Sequence, residues 1–240
     1  MLPTYEEAEN VGRTLAALLG VFDRRGLDGR ALVMDDASPD GTADLAERVA
    51  ARDPRVAVVR RPRKEGIGPA YRDGFRRALA GGAALVMEMD ADLSHDPASV
   101  PALVDAARDA DLVLGSRYVP GGGVARWGIV RRAISRAGCW YARRVLGVGV
   151  RDLTGGFKCF RREVLEALPL DEVAAAGYGF QVEMTYRALL AGFRVTEMPI
   201  VFSERTRGRS KMSRRIVLEA AFLVPRLRLR LGPMPGRRGR

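Results

Sequence analysis

Two pairs of aspartates in the sequence have the residue type and spacing to bind a cation or a polar ligand. Asp90 and Asp92 lie two residues apart and directly follow the apolar segment 84–89. Two carboxylates placed where a strand gives way to a loop can converge on one hard divalent cation. Taken alone, they are also compatible with ordinary loop or cap residues before Pro97.

The second pair, Asp35 and Asp36, ends the apolar segment 31–34. Carboxylates at the ends of two neighbouring parallel strands face one crevice, where they can hydrogen-bond a base or a ribose. The segment 35–42 is also typical of a turn followed by a helix start. At the beginning of the chain, the segment 3–6 could close the same crevice.

Alternating helical and strand patterns must position these residues. Apolar spacing predicts helices at 6–22, 41–52, 69–80 and 97–107, and strands at 31–34, 56–59, 84–89 and 112–114. This alternation predicts an α/β fold with a mostly parallel, Rossmann-like sheet flanked by helices. Almost no residues remain for a first strand before Pro3. We therefore expect that strand to be missing here and the natural protein to start several residues earlier, with apolar residues before Leu2.

The pattern changes after Tyr118. Helices are predicted at 127–146, 178–191 and 212–231, and a strand at 194–202, where Pro199 indicates an edge position or a strand end. The helices at 127–146 and 212–231 mix arginines with apolar residues. That mixture favours amphipathic elements at a membrane interface, although a solvated basic face has the same pattern.

Composition limits the class of protein. The chain has 240 residues, of which 47% are hydrophobic, and a net charge of +11 that favours polyanionic partners. From residue 205 to residue 240 the only acidic residue is Glu219. Two cysteines and one histidine argue against a disulfide scaffold or a Cys/His zinc site. Neither a signal peptide nor a long apolar run is visible, so we expect a cytoplasmic protein that is peripheral on the cytoplasmic face of the membrane.

Nine short motifs occur in order along the chain, at residues 3–6, 35–42, 66–71, 90–97, 115–118, 131–135, 152–157, 179–183 and 205–211. The first four resemble the successive blocks of family 2 inverting glycosyltransferases with the GT-A fold. The later five resemble those of the polyprenol-phosphate (dolichol-phosphate) mannose synthase branch. The resemblance covers the chain to about Met212. It implies transfer of mannose from GDP-mannose to a polyprenyl phosphate.

The resemblance also implies roles for individual residues. Those implied to bind the nucleotide sugar are Pro3, Tyr5, Glu6, Asp36, Asp90, Ala91 and Asp92. Mg²⁺ or Mn²⁺ would be bound by Asp90 and Asp92, with Ser94 at the place where some relatives have a Gln ligand. The acceptor phosphate would be bound by Arg117, Arg131 and Ser135. The residues implied to act in catalysis are Asp92, Arg117, Arg131, Arg205 and Lys211.

The implied reaction fits the available side chains. A lipid phosphate has a second pKa of roughly 6, so its attacking oxygen is largely deprotonated at neutral pH and needs no strong base. His95, the only histidine, is assigned a structural or loop-ordering role. Cationic side chains and a divalent ion supply the electrostatic stabilisation that the departing GDP requires. One direct displacement inverts the anomeric carbon.

Several alternatives stay open. The donor could be UDP-glucose, the acceptor could be a saccharide, or the basic charge could belong to an RNA-binding protein, although acidic pairs at strand ends would repel RNA. We expect no nucleic-acid partner and an anionic membrane surface as a partner; a separate membrane-anchoring protein is a further alternative that stays open. The predicted organisation is a catalytic domain at 1–211 and a basic amphipathic C-terminal helix and tail at 212–240.

Overall fold

The computed structural model describes residues 1–173, 177–203 and 214–234. Its strands are β1 (Leu2–Thr4), β2 (Ala31–Asp35), β3 (Val56–Arg60), β4 (Leu85–Glu88), β5 (Leu112–Ser116), β6 (Gly123–Val124), β7 (Lys158–Arg161), β8 (Val195–Pro199) and β9 (Val201–Phe202). Its α-helices are α1 (Val11–Arg25), α2 (Thr42–Ala50), α3 (Ile67–Ala80), α4 (Val100–Ala106), α5 (Ile129–Leu146), α6 (Arg162–Ala167), α7 (Tyr178–Leu190) and α8 (Arg214–Leu231). The predicted alternation of helices and strands is confirmed.

The first strand is present, and our expectation that it is missing was wrong. Leu2 and Thr4 of β1 lie opposite Val33 and Asp35 in a parallel pair with β2. The amino group of Met1 donates a hydrogen bond to the Met87 carbonyl at 2.6 Å, and the Met1 carbonyl accepts one from Met89 N–H at 3.1 Å. These bonds attach β1 to β4.

The main sheet has the strand order β3-β2-β1-β4-β7-β5-β8 when these Met1 bonds are included. Strand β7 runs antiparallel to both of its neighbours, whereas the other strands described in this sheet run in one direction. The carboxyl ends of β1, β2, β4 and β5 therefore meet at one edge. Strand β8 is an edge strand and ends at Pro199, as predicted.

Helices cover both faces of the sheet because its strands are apolar on both sides. On β5, the side chain of Val113 packs with helices α1 and α4, whereas Leu112 and Leu114 pack with the aromatic side chains of α3 and α7. Tyr71, Phe75 and Phe180 stack in this second core at centroid distances of 5.7 to 6.4 Å. The two cores fix the sheet edge on which the predicted site lies.

Helix α8 packs against α5 and α7, and its Val224 and Leu227 are buried in the second core. The predicted domain boundary between residues 211 and 212 lies outside the described residues. The division into a catalytic domain and a C-terminal element stays a prediction. Within the described part of the chain, no helix is both long enough and apolar enough to span a bilayer.

Candidate active site

A crevice of about 240 Å³ opens at the carboxyl ends of β1, β2 and β4. Six of the seven residues predicted to bind a nucleotide sugar line it: Pro3, Tyr5, Asp36, Asp90, Ala91 and Asp92. The seventh, Glu6, is exposed and does not line the crevice; its neighbour Glu7 does. Glu6 has a left-handed backbone (φ 57°), and its N–H donates to Ser38 Oγ at 3.0 Å. This backbone bond holds the turn after β1, and the predicted nucleotide contact of the Glu6 side chain stays a prediction.

Asp36 is buried and is held on three sides. Its Oδ1 accepts a hydrogen bond from Arg61, which is also buried, and its Oδ2 accepts from the backbone N–H groups of Glu65 and Gly66 at 3.0 and 2.7 Å. Arg61 also pairs with Glu65 at 2.5 Å. Gly66 has φ 94°, which a side chain would strain, and it precedes α3 directly. Asp36 thus anchors the loop that forms one wall of the crevice.

The loop that carries Asp90 and Asp92 is fixed by its own backbone and by α1. Thr14 of α1 donates from its hydroxyl to the Ala91 carbonyl at 2.7 Å, in a buried contact. The N–H of Ser94 donates to Asp92 Oδ1 at 2.9 Å, and Leu93 between them has φ 61°. Asp92 is buried, whereas the side chain of Asp90 is 29% exposed. The loop therefore presents two carboxylates of unequal exposure to the crevice.

His95 supports this loop from behind. Its Nδ1 accepts the backbone N–H of Asp90 at 3.1 Å, so that nitrogen carries no proton in this arrangement. The imidazole is buried between Phe157, stacked at 4.9 Å, and Phe202, edge-on at 5.2 Å. Burial lowers the pKa of His95, although Asp90 and Asp92 act in the opposite direction. These contacts favour the loop-ordering role that the sequence predicts.

The residues of the crevice fit a hard divalent cation. In the described ranges, no three His, Cys, Asp or Glu side chains converge on one point. The carboxylates available are those of Asp90 and Asp92, and ions such as Mg²⁺ take only one or two carboxylates and complete their shell with water and substrate phosphates. Ser94, the third predicted ligand, does not line the crevice; its Oγ is buried and has no hydrogen-bond partner among the described residues.

Arg117 follows β5 and forms a buried ion pair with Asp152. Its Nε and one terminal nitrogen each lie 2.7 Å from a different carboxylate oxygen, and its backbone N–H donates to the same carboxylate at 2.9 Å. A further hydrogen bond reaches Thr154 at 2.8 Å. Burial alone would raise the pKa of Asp152, but the hydrogen bonds and charge of Arg117 outweigh it and lower that pKa. The guanidinium is consequently fixed in place.

Three aromatic rings surround Arg117, and the predicted acceptor residues lie next to two of them. Its guanidinium carbon is 5.2 Å from the ring centre of Tyr118 and 5.7 Å from that of Trp127. The Tyr118 hydroxyl donates to Ser135 Oγ at 2.6 Å, and the Arg131 guanidinium lies 4.1 Å over the Trp127 ring. The structure therefore groups Arg117, Arg131 and Ser135 around shared aromatic partners. Arg205 and Lys211, also predicted, lie outside the described residues.

Sequence reasoning missed several residues of this region. Lys64 lines the crevice with its ammonium 3.5 Å over the Tyr5 ring, and Thr14 and Asp152 hold the two halves of the site. Lys64 carried a visible signal, as one of only three lysines in the chain. Thr14 carried none, because it looks like any residue of an amphipathic helix.

Helix α5 has an unusual surface. Its exposed apolar side chains are Ile129 (85%), Val130 (72%), Trp140 (60%) and Ile134 (43%). Arginines alternate with them along the helix. Phe222 and Leu229 of α8 are also exposed, at 78% and 87%. Large exposed apolar side chains beside arginines are typical of a surface that binds a membrane or another protein.

Comparisons with known proteins identify the family of the chain. The family model described as "Glycosyl transferase family 2" matches residues 1–168. The undecaprenyl-phosphate mannosyltransferase of Micrococcus luteus is 46% identical over 97% of this chain and 98% of its own length. The polyprenol monophosphomannose synthase of Mycolicibacterium smegmatis is 46% identical over 93% of this chain and 84% of its own length.

Solved structures agree at the level of the fold. Glucosyl-3-phosphoglycerate synthase from Mycobacterium tuberculosis, crystallised with Mn²⁺, UDP and phosphoglyceric acid, has a TM-score of 0.66 and 23% identity. The match covers 98% of this chain and 78% of that one. Together with the family match and the two relatives, these findings establish that the chain belongs to glycosyl transferase family 2.

Proposed function

We propose that this enzyme transfers mannose from GDP-mannose to a polyprenyl phosphate, with inversion at the anomeric carbon. The observation that carries the proposal is the adjacency of two opposite sites on one sheet edge. An acidic crevice lined by Asp90 and Asp92 lies beside a cationic group that contains Arg117 and Arg131. His95, which accepts the Asp90 N–H, contacts Phe202 edge-on, and the Arg117 guanidinium carbon lies 5.6 Å from the centre of that ring. The two relatives at 46% identity, whose names give the same reaction class, support the choice of sugar and acceptor.

The donor half would bind the nucleotide. Pro3, Tyr5 and Asp36 would contact the base and ribose, and Lys64 would add a cation at the rim. A bound Mg²⁺ or Mn²⁺ would supply Lewis-acid stabilisation of charge on the diphosphate. Asp90 and Asp92 would hold that ion. The Thr14 and His95 contacts keep their loop in position before the nucleotide arrives.

The acceptor half would bind the lipid phosphate through Arg117, Arg131 and Ser135. The phosphate is already largely ionised at neutral pH, so one of its oxygens attacks the anomeric carbon directly and the bond to the diphosphate breaks. The described residues then need only to orient two anions and to stabilise the charge that passes to GDP. Arg117 suits this role because Asp152 and Thr154 fix its orientation.

We further propose that α5 docks the enzyme on the cytoplasmic face of an anionic membrane. Ile129, Val130 and Trp140 would enter the interface, and the arginines would contact lipid phosphates. Each arginine would contribute about 1 kcal/mol to the free energy of membrane binding. Because α5 also carries Arg131 and Ser135, docking brings the lipid phosphate to the cationic half of the site. Residues 212–240 would add basic charge, and a separate anchoring protein is compatible with this arrangement.

The test is transfer of radiolabelled mannose from GDP-mannose to a short polyprenyl phosphate, with Mg²⁺ or Mn²⁺ and with EDTA. We expect metal-dependent product that falls at least about 100-fold in the Asp92→Asn variant. Asp96→Asn is the matched control, because Asp96 lies in the same loop but is exposed and only caps the following turn. It should keep activity within about twofold.

The same assay separates the alternatives. Folded wild-type protein that makes no product from GDP-mannose but does so from UDP-glucose would overturn the choice of sugar and keep the family chemistry. Salt-dependent binding of bulk RNA, without binding of either sugar nucleotide, would overturn the enzyme assignment altogether.

A further inference from the structure

Gln181 is a buried polar side chain whose amide atoms make no hydrogen bond of normal geometry with the described residues. It lies in the first turns of α7 and is 3% exposed. Neither its amide oxygen nor its amide nitrogen has a hydrogen-bond partner among the described residues. An unsatisfied buried polar group costs about 1–3 kcal/mol, so a side chain that served only the fold would normally be paired.

The backbone around Gln181 is, in contrast, firmly held. Its carbonyl accepts hydrogen bonds from Lys158 Nζ at 2.6 Å and from Thr185 Oγ1 at 3.0 Å. Lys158 and Thr185 are both completely buried. The main chain that carries the Gln181 side chain is therefore fixed, and these bonds do not use the polar atoms of the side-chain amide.

A glycine faces this amide. A Cβ placed on Gly156 would lie 3.6 Å from Gln181 Nε2, 3.8 Å from Asp90 Oδ1 and 3.8 Å from His95 Cε1. The missing side chain thus leaves a small space bounded by an amide, a carboxylate and an imidazole. Gly156 is itself partly exposed, so the space is not sealed within the core.

The location of this space joins the two halves of the site. Gly156 faces Asp90 of the donor half, whereas a Cβ on the preceding Gly155 would lie 3.6 Å from the Asp152 carboxylate, the partner of Arg117. In a transfer reaction the sugar is bonded first to the nucleotide and then to the acceptor, so it must lie between their binding sites. Residues 155 and 156 span that interval.

We propose that Gln181 and Gly156 form part of the subsite for the transferred hexose, in which the Gln181 amide hydrogen-bonds one sugar hydroxyl and Gly156 leaves room for that hydroxyl. A neutral amide both donates and accepts, as a hydroxyl does, and it adds no charge beside Asp90. This inference rests on the proposed function, because it requires a nucleotide-sugar donor.

A purely structural role is the competing explanation, and Glu88 makes it concrete. Glu88 is completely buried; burial raises its pKa to about 7, while the charge of Lys158 and the nearby Gln181 amide favour the carboxylate. The Gln181 amide is close enough to Glu88 to lower the pKa of that carboxyl, but it does not meet hydrogen-bonding geometry with it. A test must therefore measure something that support of Glu88 would leave unchanged.

The sugar's own contribution to binding is such a quantity. It is the ratio of the Kd of GDP to the Kd of GDP-mannose, measured by calorimetry without lipid, with UDP and UDP-glucose as a second pair. Gly156→Ala fills the space, and Gln181→Met keeps most of the volume but removes both hydrogen-bonding atoms. We expect each variant to lower the ratio about tenfold, with the Kd of GDP itself unchanged within twofold. Gly149→Ala is the matched control, because Gly149 is an exposed loop glycine with open space around it.

Deoxy analogues of GDP-mannose identify the hydroxyl. One of the 2-, 3-, 4- or 6-deoxy donors should bind wild type about tenfold more weakly than GDP-mannose does. The Gln181→Met variant should bind that deoxy donor and GDP-mannose with equal affinity. An unchanged ratio in both variants would overturn the subsite and leave the proposed function intact. Equal losses of GDP affinity, sugar affinity and thermal stability would also overturn it, in favour of support for Glu88. Wild type that binds GDP but neither sugar nucleotide more tightly would instead refute the proposed function.

Discussion

Each half of the candidate active site contains a buried Asp–Arg ion pair, and the two pairs are oriented in opposite ways. In the donor half, Asp36 lines the crevice and Arg61 lies behind it, where it lines a separate groove on the other side. In the acceptor half, the Asp152 side chain is fully buried and Arg117 lies among aromatic rings. The first pair presents its carboxylate to the site, and the second presents its guanidinium.

This difference matches the charge of what each half would bind. A carboxylate beside the nucleotide can accept hydrogen bonds from ribose or base, whereas a fixed guanidinium suits a phosphate. The pairs also differ in how their buried charges are balanced. Arg61 has a second acidic partner in Glu65, whereas Arg117 has Asp152 as its only ion-pair partner among the described residues. The two pairs should therefore respond differently to the same substitution.

The largest effect is expected at Asp152. Replacing it by alanine leaves the buried Arg117 charge without an acid, which typically destabilises a protein by about 3–5 kcal/mol. Urea unfolding of Asp152→Ala and wild type measures this difference, provided that both transitions are two-state. A loss below about 1 kcal/mol would show that Asp152 does not hold Arg117 in the way described above.

The pH dependence of this effect is an independent check. The pKa of Asp152 is lowered in the folded state, so its contribution to stability is fully present above its ordinary value of 3.8 and is lost as the pH falls through the lower folded-state value. The difference in unfolding free energy between wild type and Asp152→Asn should thus be constant above about pH 5 and shrink below pH 3.8.

The sequence predicted the acidic half of this comparison better than the basic half. Asp36, Asp90 and Asp92 directly follow apolar strands, and parallel strands bring their carboxyl ends together, so chain position alone places them at one edge. Asp152 and Arg117 are 35 residues apart, and their pairing depends on β7 inserting antiparallel beside β5. No local pattern contains that information.

The first strand shows another limit of sequence reasoning. The small number of residues before Pro3 suggested that no strand could form there. Leu2 is nevertheless fully buried, because β1 pairs with β2 and the Met1 backbone bonds to β4. Strand formation here is decided by neighbours distant in sequence, as is usual for sheets. The same applies to Gln181, whose carbonyl is bound by Lys158 and whose amide faces Gly156, both from a different segment of the chain.

A smaller effect is expected from the matched substitution in the donor half. Asp36→Asn removes the charge but leaves an oxygen for the N–H groups of Glu65 and Gly66, and Arg61 keeps Glu65. We expect about 2 kcal/mol of destabilisation in urea unfolding, in the range of one hydrogen bond to a charged group. The double variant Asp36→Asn/Glu65→Gln should be destabilised by clearly more than the sum of the single losses. Additive losses would show that Glu65 does not stabilise Arg61.

The exposed surface of the acceptor half provides the next prediction. Ile129→Ser combined with Val130→Ser should weaken binding to vesicles that contain anionic lipid about tenfold, because two apolar side chains no longer enter the interface. Stability should change by less than about 0.5 kcal/mol. Val201→Ser is the control, since Val201 is 54% exposed but lies on β9, outside α5 and α8. Equal weakening by the control would mean that α5 is not the docking element.

The smallest effect is expected at Lys64, on the rim of the donor half. Its ammonium lies over the Tyr5 ring, an exposed contact worth about 0.5–1 kcal/mol. Lys64→Gln should weaken GDP binding about threefold at low salt, because a cation near the anionic nucleotide is lost, and the loss should diminish as salt screens the charge. Arg63→Gln is the control, because Arg63 is exposed on the same loop and does not line the crevice. Tighter GDP binding by Lys64→Gln would reverse the interpretation: Lys64 would then compete with the nucleotide for the face of Tyr5.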